Sequence, residues 1–424
     1  MKIVFINRFF FPDESATSRV ISGLAFGLAE LGDRVHVVTG RQCHDGARLS
    51  PGTENLSGVS IYRVWMSSFG CRGLVGRALE YLTFHASALW RIRRLVGPED
   101  IVVACTDPPL LSVTAMLAIV GSRAILVNWI LDLFPEAAIE LGMLKRRSMG
   151  VRTLWRLRDI SLRKARWNVV LTSRMAIPLE ERGISPSTLT VIHLWSDEEA
   201  IRPIDPEYNP LRSKWQLTNK IVVGYSGNFG RVHEFATILD AAERLSDRQE
   251  IIFLFIGDGH RRDWIESEIS RRRLGNVLMK PLQPRERLAD CLGVPDIHLV
   301  SLLPHLETCS FPSKLYGILA AGRPTLFVGD LDGETGRILR DGRCGAAIAV
   351  GADSELAERI VKLTRSEALR RRMGANARRT FDAAFRREIG VATWHDLLTN
   401  ASMPFGWIDS ERSVIARAAG TGVV

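Results

Sequence analysis

The chain has 424 residues, 46% hydrophobic and 24% charged, with a formal net charge of +9. That length exceeds one ordinary core and points to two domains, and the balance excludes wholesale disorder. The basic excess favours anionic partners without choosing among nucleic acid, acidic lipid and phosphorylated small molecules.

In chain order, strands are predicted at 2–6, 34–39, 59–65, 101–104, 124–130, 168–171 and 189–192. Helical patterns near 17–31, 74–95, 109–119, 150–166 and 174–182 alternate with them. Several strands are unbroken Val/Ile runs, the pattern of a parallel sheet buried on both faces. The opening MKIVFINRFF is too weakly apolar for a signal peptide. Gly121-Ser122-Arg123 breaks the apolar region from Leu110 to Leu131, so no spanning helix is expected.

The loop after the first strand runs from Asn7 to Ser18 and lacks G-x-G-x-x-G. Phe10, Phe11 and Ser15 in it are assigned to the acceptor side of a cleft. After the strand at 124–130, Asp132 and Glu136 stand at the carboxyl end of the sheet, beside Trp129. Asp132 is the candidate to orient an acceptor hydroxyl or take its proton; Trp129 and Glu136 are candidate acceptor contacts.

Two stretches are basic. Residues 72–94 carry five arginines against Glu80, with an apolar stripe Val75, Leu79, Leu82, Ala86, Leu89 and Ile92 expected in the core. Residues 143–168 hold Lys145, Arg146, Arg147, Arg152, Arg156, Arg158, Arg163, Lys164 and Arg166 against Asp159. Such a patch suits an anionic membrane, at roughly 1 kcal/mol per near-surface basic residue. No nucleic-acid-binding motif accompanies the charge.

Residues 201–220 contain three prolines and no apolar period, and read as a linker between domains 1–200 and 221–382. The alternation then restarts, with strands at 221–225, 251–256, 277–280, 297–301, 325–328 and 346–350. The helical segment at 383–400 is expected to return to the first domain, ahead of a loose tail ending at residue 424. Two doubly wound parallel-sheet α/β domains in series place a cleft between two sets of strand ends, where such sheets bind ligands. The six cysteines are irregularly spaced, without a C-x-x-C pair, which fits reduced thiols better than a disulfide framework or a zinc site.

Three second-domain loops suit a nucleoside diphosphate. In Phe311–Pro324, Pro312 and Ser313 stand at a helix start, Ser313 as an expected N-cap, and Leu315 and Tyr316 in the first turn. Free N–H groups there, with the Lys314 ammonium, would stabilise charge on a leaving diphosphate. The loop Ser226-Gly227-Asn228-Phe229-Gly230-Arg231-Val232-His233 follows the first strand; its glycines allow close approach, and Arg231 and His233 are expected to add positive charge. Gly257-Asp258-Gly259 follows the second strand and suits a base or ribose.

These residues together resemble glycosyltransferase family 4. The resemblance lies in the N-terminal K-I-x-F-I and long loop, the glycines at 227 and 230, I-G-D-G at 256–259 and P-S-K-L-Y-G-I-L-A-A-G-R-P at 312–324, and it covers most of 1–385. It is closest to the bacterial branch that builds capsule, exopolysaccharide and O-antigen. It implies a GT-B fold, a UDP- or GDP-sugar donor, retaining hexosyl or N-acetylhexosaminyl transfer to a polyprenyl-diphosphate-linked or saccharide acceptor, and no obligatory metal or other cofactor. It implies a cytoplasmic protein at the inner face of the plasma membrane. Lys314, Asp132 and Arg231 take the catalytic places, and Ser226, Asn228, Asp258 and their loop neighbours the donor contacts. The family's two glutamates, eight positions apart, fall on Cys309 and Gly317; its Arg and Lys fall on Asn228 and His233. These departures leave two alternatives open: a nucleotide-sugar epimerase or hydrolase of similar shape, and a non-catalytic nucleotide-binding homologue.

Overall fold

The computed structural model describes residues 1–43, 52–67, 74–196 and 200–401; Cys71, Arg72 and the tail 402–424 lie outside them. Strands β1 (Lys2–Ile6), β2 (Arg34–Gly40), β3 (Gly52–Leu56), β4 (Val59–Val64), β5 (Ile101–Ala104), β6 (Ile125–Ile130), β7 (Trp167–Val170) and β8 (Leu189–Val191) make one sheet, ordered β3-β4-β2-β1-β5-β6-β7-β8. All its neighbours are parallel except β3 on β4. The sequence reading lacked β3, whose residues GTENL are all exposed and show no apolar alternation.

The second sheet contains β9 (Ile221–Ser226), β10 (Ile251–Ile256), β11 (Val277–Lys280), β12 (Ile297–Ser301), β13 (Thr325–Val328) and β14 (Gly345–Ile348), ordered β11-β10-β9-β12-β13-β14 and parallel throughout. Each sheet reverses its winding beside its first strand, between β1 and β5 and between β9 and β12. Loops diverge there and leave a crevice at the carboxyl ends.

Residues 209–220 pack into the second domain. Asn209 caps the helix Pro210–Lys214, Leu211 and Leu217 are buried, and the buried Arg212 pairs with Asp296 at 3.0 Å. The helix Arg387–Ala401 lies against the first domain. Trp394 meets Trp129 at 4.7 Å, and a Cβ on Gly390 would fall 2.2 Å from Trp195. One apolar cluster runs from Trp129, Leu131 and Leu133 across the junction to Leu306, Phe311 and Leu315. The Leu133 N–H donates to the Cys309 carbonyl at 2.9 Å, which pins the loop after β6 to the loop after β12.

Candidate functional site in the interdomain cleft

The Gly227 and Gly257 loops are built on each other. Phe229 N–H donates to the Asp258 carbonyl at 2.8 Å, and Arg261 N–H to the Phe229 carbonyl at 2.9 Å. A Cβ on Gly257 would lie 2.0 Å from the Gly227 carbonyl oxygen, and one on Gly259 2.2 Å from Asn228 Oδ1. Both glycines also have positive φ, 150° and 145°. They serve the packing of loop on loop, which corrects their assignment to ligand approach. Gly257→Ala is accordingly expected to cost at least ~2 kcal/mol, read as a lower melting temperature, because the φ is hostile and the clash is with backbone. Phe229 is also reassigned: it is fully buried among Tyr225, Phe235 and Phe255 and anchors the loop. Ser226, Asn228 and Asp258 keep their places at the strand ends, with Asn228 and Asp258 exposed.

Lys314 comes up behind this loop. Its Nζ lies 3.7 Å over the Tyr225 ring and 3.4 Å from the place of a Gly227 Cβ. No hydrogen-bond partner reaches that nitrogen, and it is sealed from solvent although the residue as a whole is half-buried. Burial holds its pKa well below the ordinary lysine range. A buried ammonium without a partner is costly, so the nitrogen holds its proton weakly until an anion arrives.

The helix start differs from the expectation. Ser313 is already helical and caps nothing. The N–H groups of Ser313, Leu315 and Tyr316 bond to Phe311, Pro312 and Ser313 carbonyls, closing tight turns that use up three of the expected donors. Pro312, Leu315 and Tyr316 are buried; Tyr316 packs on Phe311 and Phe385. They support the loop from within. His233 is corrected too. Its Nδ1 bonds to the Ser301 carbonyl at 2.6 Å, and burial, with Lys314 nearby, pushes its pKa down to about 3. It is neutral and adds no charge.

On the opposite wall, Asp132 is exposed to solvent, with Ser310 and Asp107 close to its carboxyl group. Desolvation by the surrounding protein lifts its pKa to about 6, against a hydrogen bond from the Ser310 hydroxyl that lowers it and with the nearby Asp107 charge that raises it. Asp107 is held 3.4 Å from Arg8, whose guanidinium covers the Phe9 ring at 4.2 Å. Ser310, Asp107 and Arg8 were not found by sequence reasoning; their one signal was a place just after a strand.

The proposed acceptor contacts mostly turn inward. Trp129 and Phe10 are buried. Glu136 takes a 2.7 Å bond from Trp155 Nε1 and pairs with Arg158 at 2.5 Å. Ser15 caps the helix Ala16–Glu30. Phe11 remains 39% exposed, edge-on to Phe26. At the two glutamate positions of the family pattern, Cys309 is buried with its thiol pushed up to about 11, and Gly317 faces Leu292 and Ile201. Glu307, next to them, caps another helix: its Oε1 accepts from the Glu334 N–H at 2.6 Å, and burial raises its pKa to about 7.

Two facing Rossmann-like domains with a charged crevice at their carboxyl ends define the GT-B class. The chain belongs to glycosyltransferase family 4. The family model "Glycosyl transferases group 1" matches residues 209–380, and the "Glycosyl transferase 4-like domain" matches 15–195. The chain is 31% identical to the "Probable glycosyltransferase WbjE" of Pseudomonas aeruginosa over 63% of its own length and 66% of that protein. It is 26% identical to the "Putative colanic acid biosynthesis glycosyl transferase WcaI" of Escherichia coli, over 66% of its length and 68% of that protein. The chain thus spans about two thirds of the relatives it matches. In fold it is similar to Anabaena HepE solved with UDP-glucose, with a TM-score of 0.71, 14% identity, and coverage of 94% and 100% of the two chains.

Proposed function

We propose that this chain transfers a glycosyl group from a UDP- or GDP-sugar, with retention and without an obligatory metal, to a lipid-linked or saccharide acceptor during bacterial surface-polysaccharide synthesis. The observation that carries this reading is the unpartnered Lys314 nitrogen behind the Gly227 loop, where β9 and β12 diverge. A diphosphate drawn to this point offers the lysine the negative partner it lacks, and the lysine in turn stabilises charge on the leaving group. Reaching the nitrogen requires the Gly227 loop or the lysine side chain to shift. The relative named for colanic acid biosynthesis, and HepE's complex with UDP-glucose, support the substrate class. Asp132, across from Ser310, supplies the carboxylate that neither Cys309 nor Gly317 provides. The test is a mass-spectrometric screen of nucleotide sugars against polyprenyl-linked extracts. Transfer to one acceptor is expected. Donor turnover without acceptor would instead mark a hydrolase or epimerase, and tight nucleotide binding without turnover a non-catalytic homologue.

The same reading places the protein on the cytoplasmic membrane face. The helix Leu74–Leu95 buries Phe84, Ala88 and Ile92, whereas Val75, Leu79 and Leu82, expected in the core, are 74%, 41% and 64% exposed. Trp90 joins them in the open, beside Arg93 and Arg94. Arg146, Arg147, Arg152 and Arg156 are also exposed, while Arg158 turns inward to Glu136 and Asp159. An apolar line with flanking arginines suits the headgroup region of an anionic bilayer. Among the described residues no helix is long and apolar enough to cross one. Leu79→Glu with Leu82→Glu is expected to weaken binding to anionic vesicles by at least ~10-fold in a flotation assay. Unchanged flotation would remove this helix from the membrane face.

A further inference from the structure

A cavity of about 520 Å³ opens between the domains, lined by Glu140 and Leu141 on one side and by Arg231, His260, Arg261, Trp264, Leu303 and His305 on the other. Its second-domain wall carries two arginines and two histidines and no carboxylate. None of the four forms an ion pair with a described residue, whereas the neighbouring Arg262 is paired with Glu266 at 2.9 Å. Trp264 is 36% exposed, with the Arg261 guanidinium 5.6 Å from its ring. Arg231 lines the cavity from one end of the Gly227 loop, whereas Lys314 approaches the other end at Gly227 itself and is not among the lining residues. The Leu303 N–H donates to the Val232 carbonyl at 2.9 Å, which ties the lining loops together.

We propose that this cavity is a second anion site, which takes the phosphorylated end of the acceptor while the nucleotide occupies the Lys314 site. Arg231 and Arg261 match phosphate oxygens by charge and donor geometry. Trp264 offers a flat apolar face to a sugar ring, and the volume lies in the range of small-ligand sites. Glu140, from the domain that carries Asp132, is the one acidic lining group, available to a sugar hydroxyl. A sugar phosphate, free or lipid-linked, shares this chemistry.

The inference rests on the transferase reading above, and calorimetry on the full chain separates the two. Glucose 1-phosphate and inorganic pyrophosphate are titrated into protein already saturated with UDP or GDP. Both are expected to bind the wild type. Arg261→Gln combined with His305→Gln is expected to weaken them by ~10-fold or more while nucleotide affinity stays within about twofold, as for loss of charge-assisted bonds at one site only. Tighter binding of a short-chain polyprenyl diphosphate sugar than of glucose 1-phosphate would assign the cavity to a lipid-linked acceptor; equal binding would assign it to a soluble one. Competition between these anions and the nucleotide, or equal loss of both in the double variant, would overturn the proposal. Failure of both UDP and GDP to bind would sink the donor reading itself, whereas nucleotide binding with no second anion would sink this inference alone.

Discussion

Lys314→Met is expected to lower kcat/KM by ~100-fold, the scale on which enzymes lose rate when a fixed group stabilising transition-state charge is removed. The same substitution is expected to stabilise the nucleotide-free protein by about 1 kcal/mol or more, because it replaces a buried unsatisfied nitrogen with an apolar chain of similar length. The two effects have opposite signs, and that opposition is diagnostic. A structural lysine would lose stability and activity together. Melting temperature without nucleotide, followed by steady-state kinetics, reads both. A variant that melts lower and retains turnover would remove Lys314 from the chemistry.

Asp132→Asn is expected to lower kcat by ~100-fold or more, the usual contribution of a positioned acid or base. Its pH dependence follows from a carboxyl raised to about 6 by its surroundings. The ionised form that accepts a proton is populated above that value, so wild-type kcat/KM rises through about pH 6 to a plateau on the alkaline side. In the asparagine variant this limb disappears from the residual rate. A carboxyl raised in the folded state also holds its proton more tightly than in the unfolded chain. Its effect on stability is therefore most favourable in acid and is lost as pH rises through about 6. Asparagine removes that loss, so the variant gains relative stability at neutral pH. An unshifted acid limb in Asp132→Asn would assign the titration to another group.

The second-domain strands 251–256, 277–280, 297–301 and 325–328 stand at their predicted bounds, because each is a mainly apolar run that Gly, Pro or a polar residue ends. β3 was hidden because its pairing is local, antiparallel and fully exposed. The site was legible as a set of loops but not as a set of contacts. Sequence order placed Gly257 and Gly259 at a strand end, yet only the fold shows that the Gly227 loop fills the space a side chain would need. Trp129 and Phe10 resembled cleft-wall aromatics; the returning helix, distant in sequence, covers Trp129. Glu136 gave no hint of Arg158, which lies on a later helix. The exposed line on Leu74–Leu95 was misread because helical spacing marks an apolar face without saying what covers it. Asp132 is the converse case: it stands just after β6 as expected, and the cross-domain contact between Leu133 and Cys309, which the sequence did not show, sets its surroundings.

The most direct measurement is isothermal titration of UDP and GDP into wild type and Lys314→Met, in two mildly alkaline buffers that differ in protonation enthalpy. There the nucleotide phosphates, with a second pKa of about 6, are already ionised. A lysine whose proton is destabilised by burial regains it when a diphosphate arrives. The wild type should bind one nucleotide with net proton uptake, and Lys314→Met should bind at least ~10-fold more weakly with none. Equal affinity and equal proton balance in the two proteins would show that the diphosphate is held elsewhere.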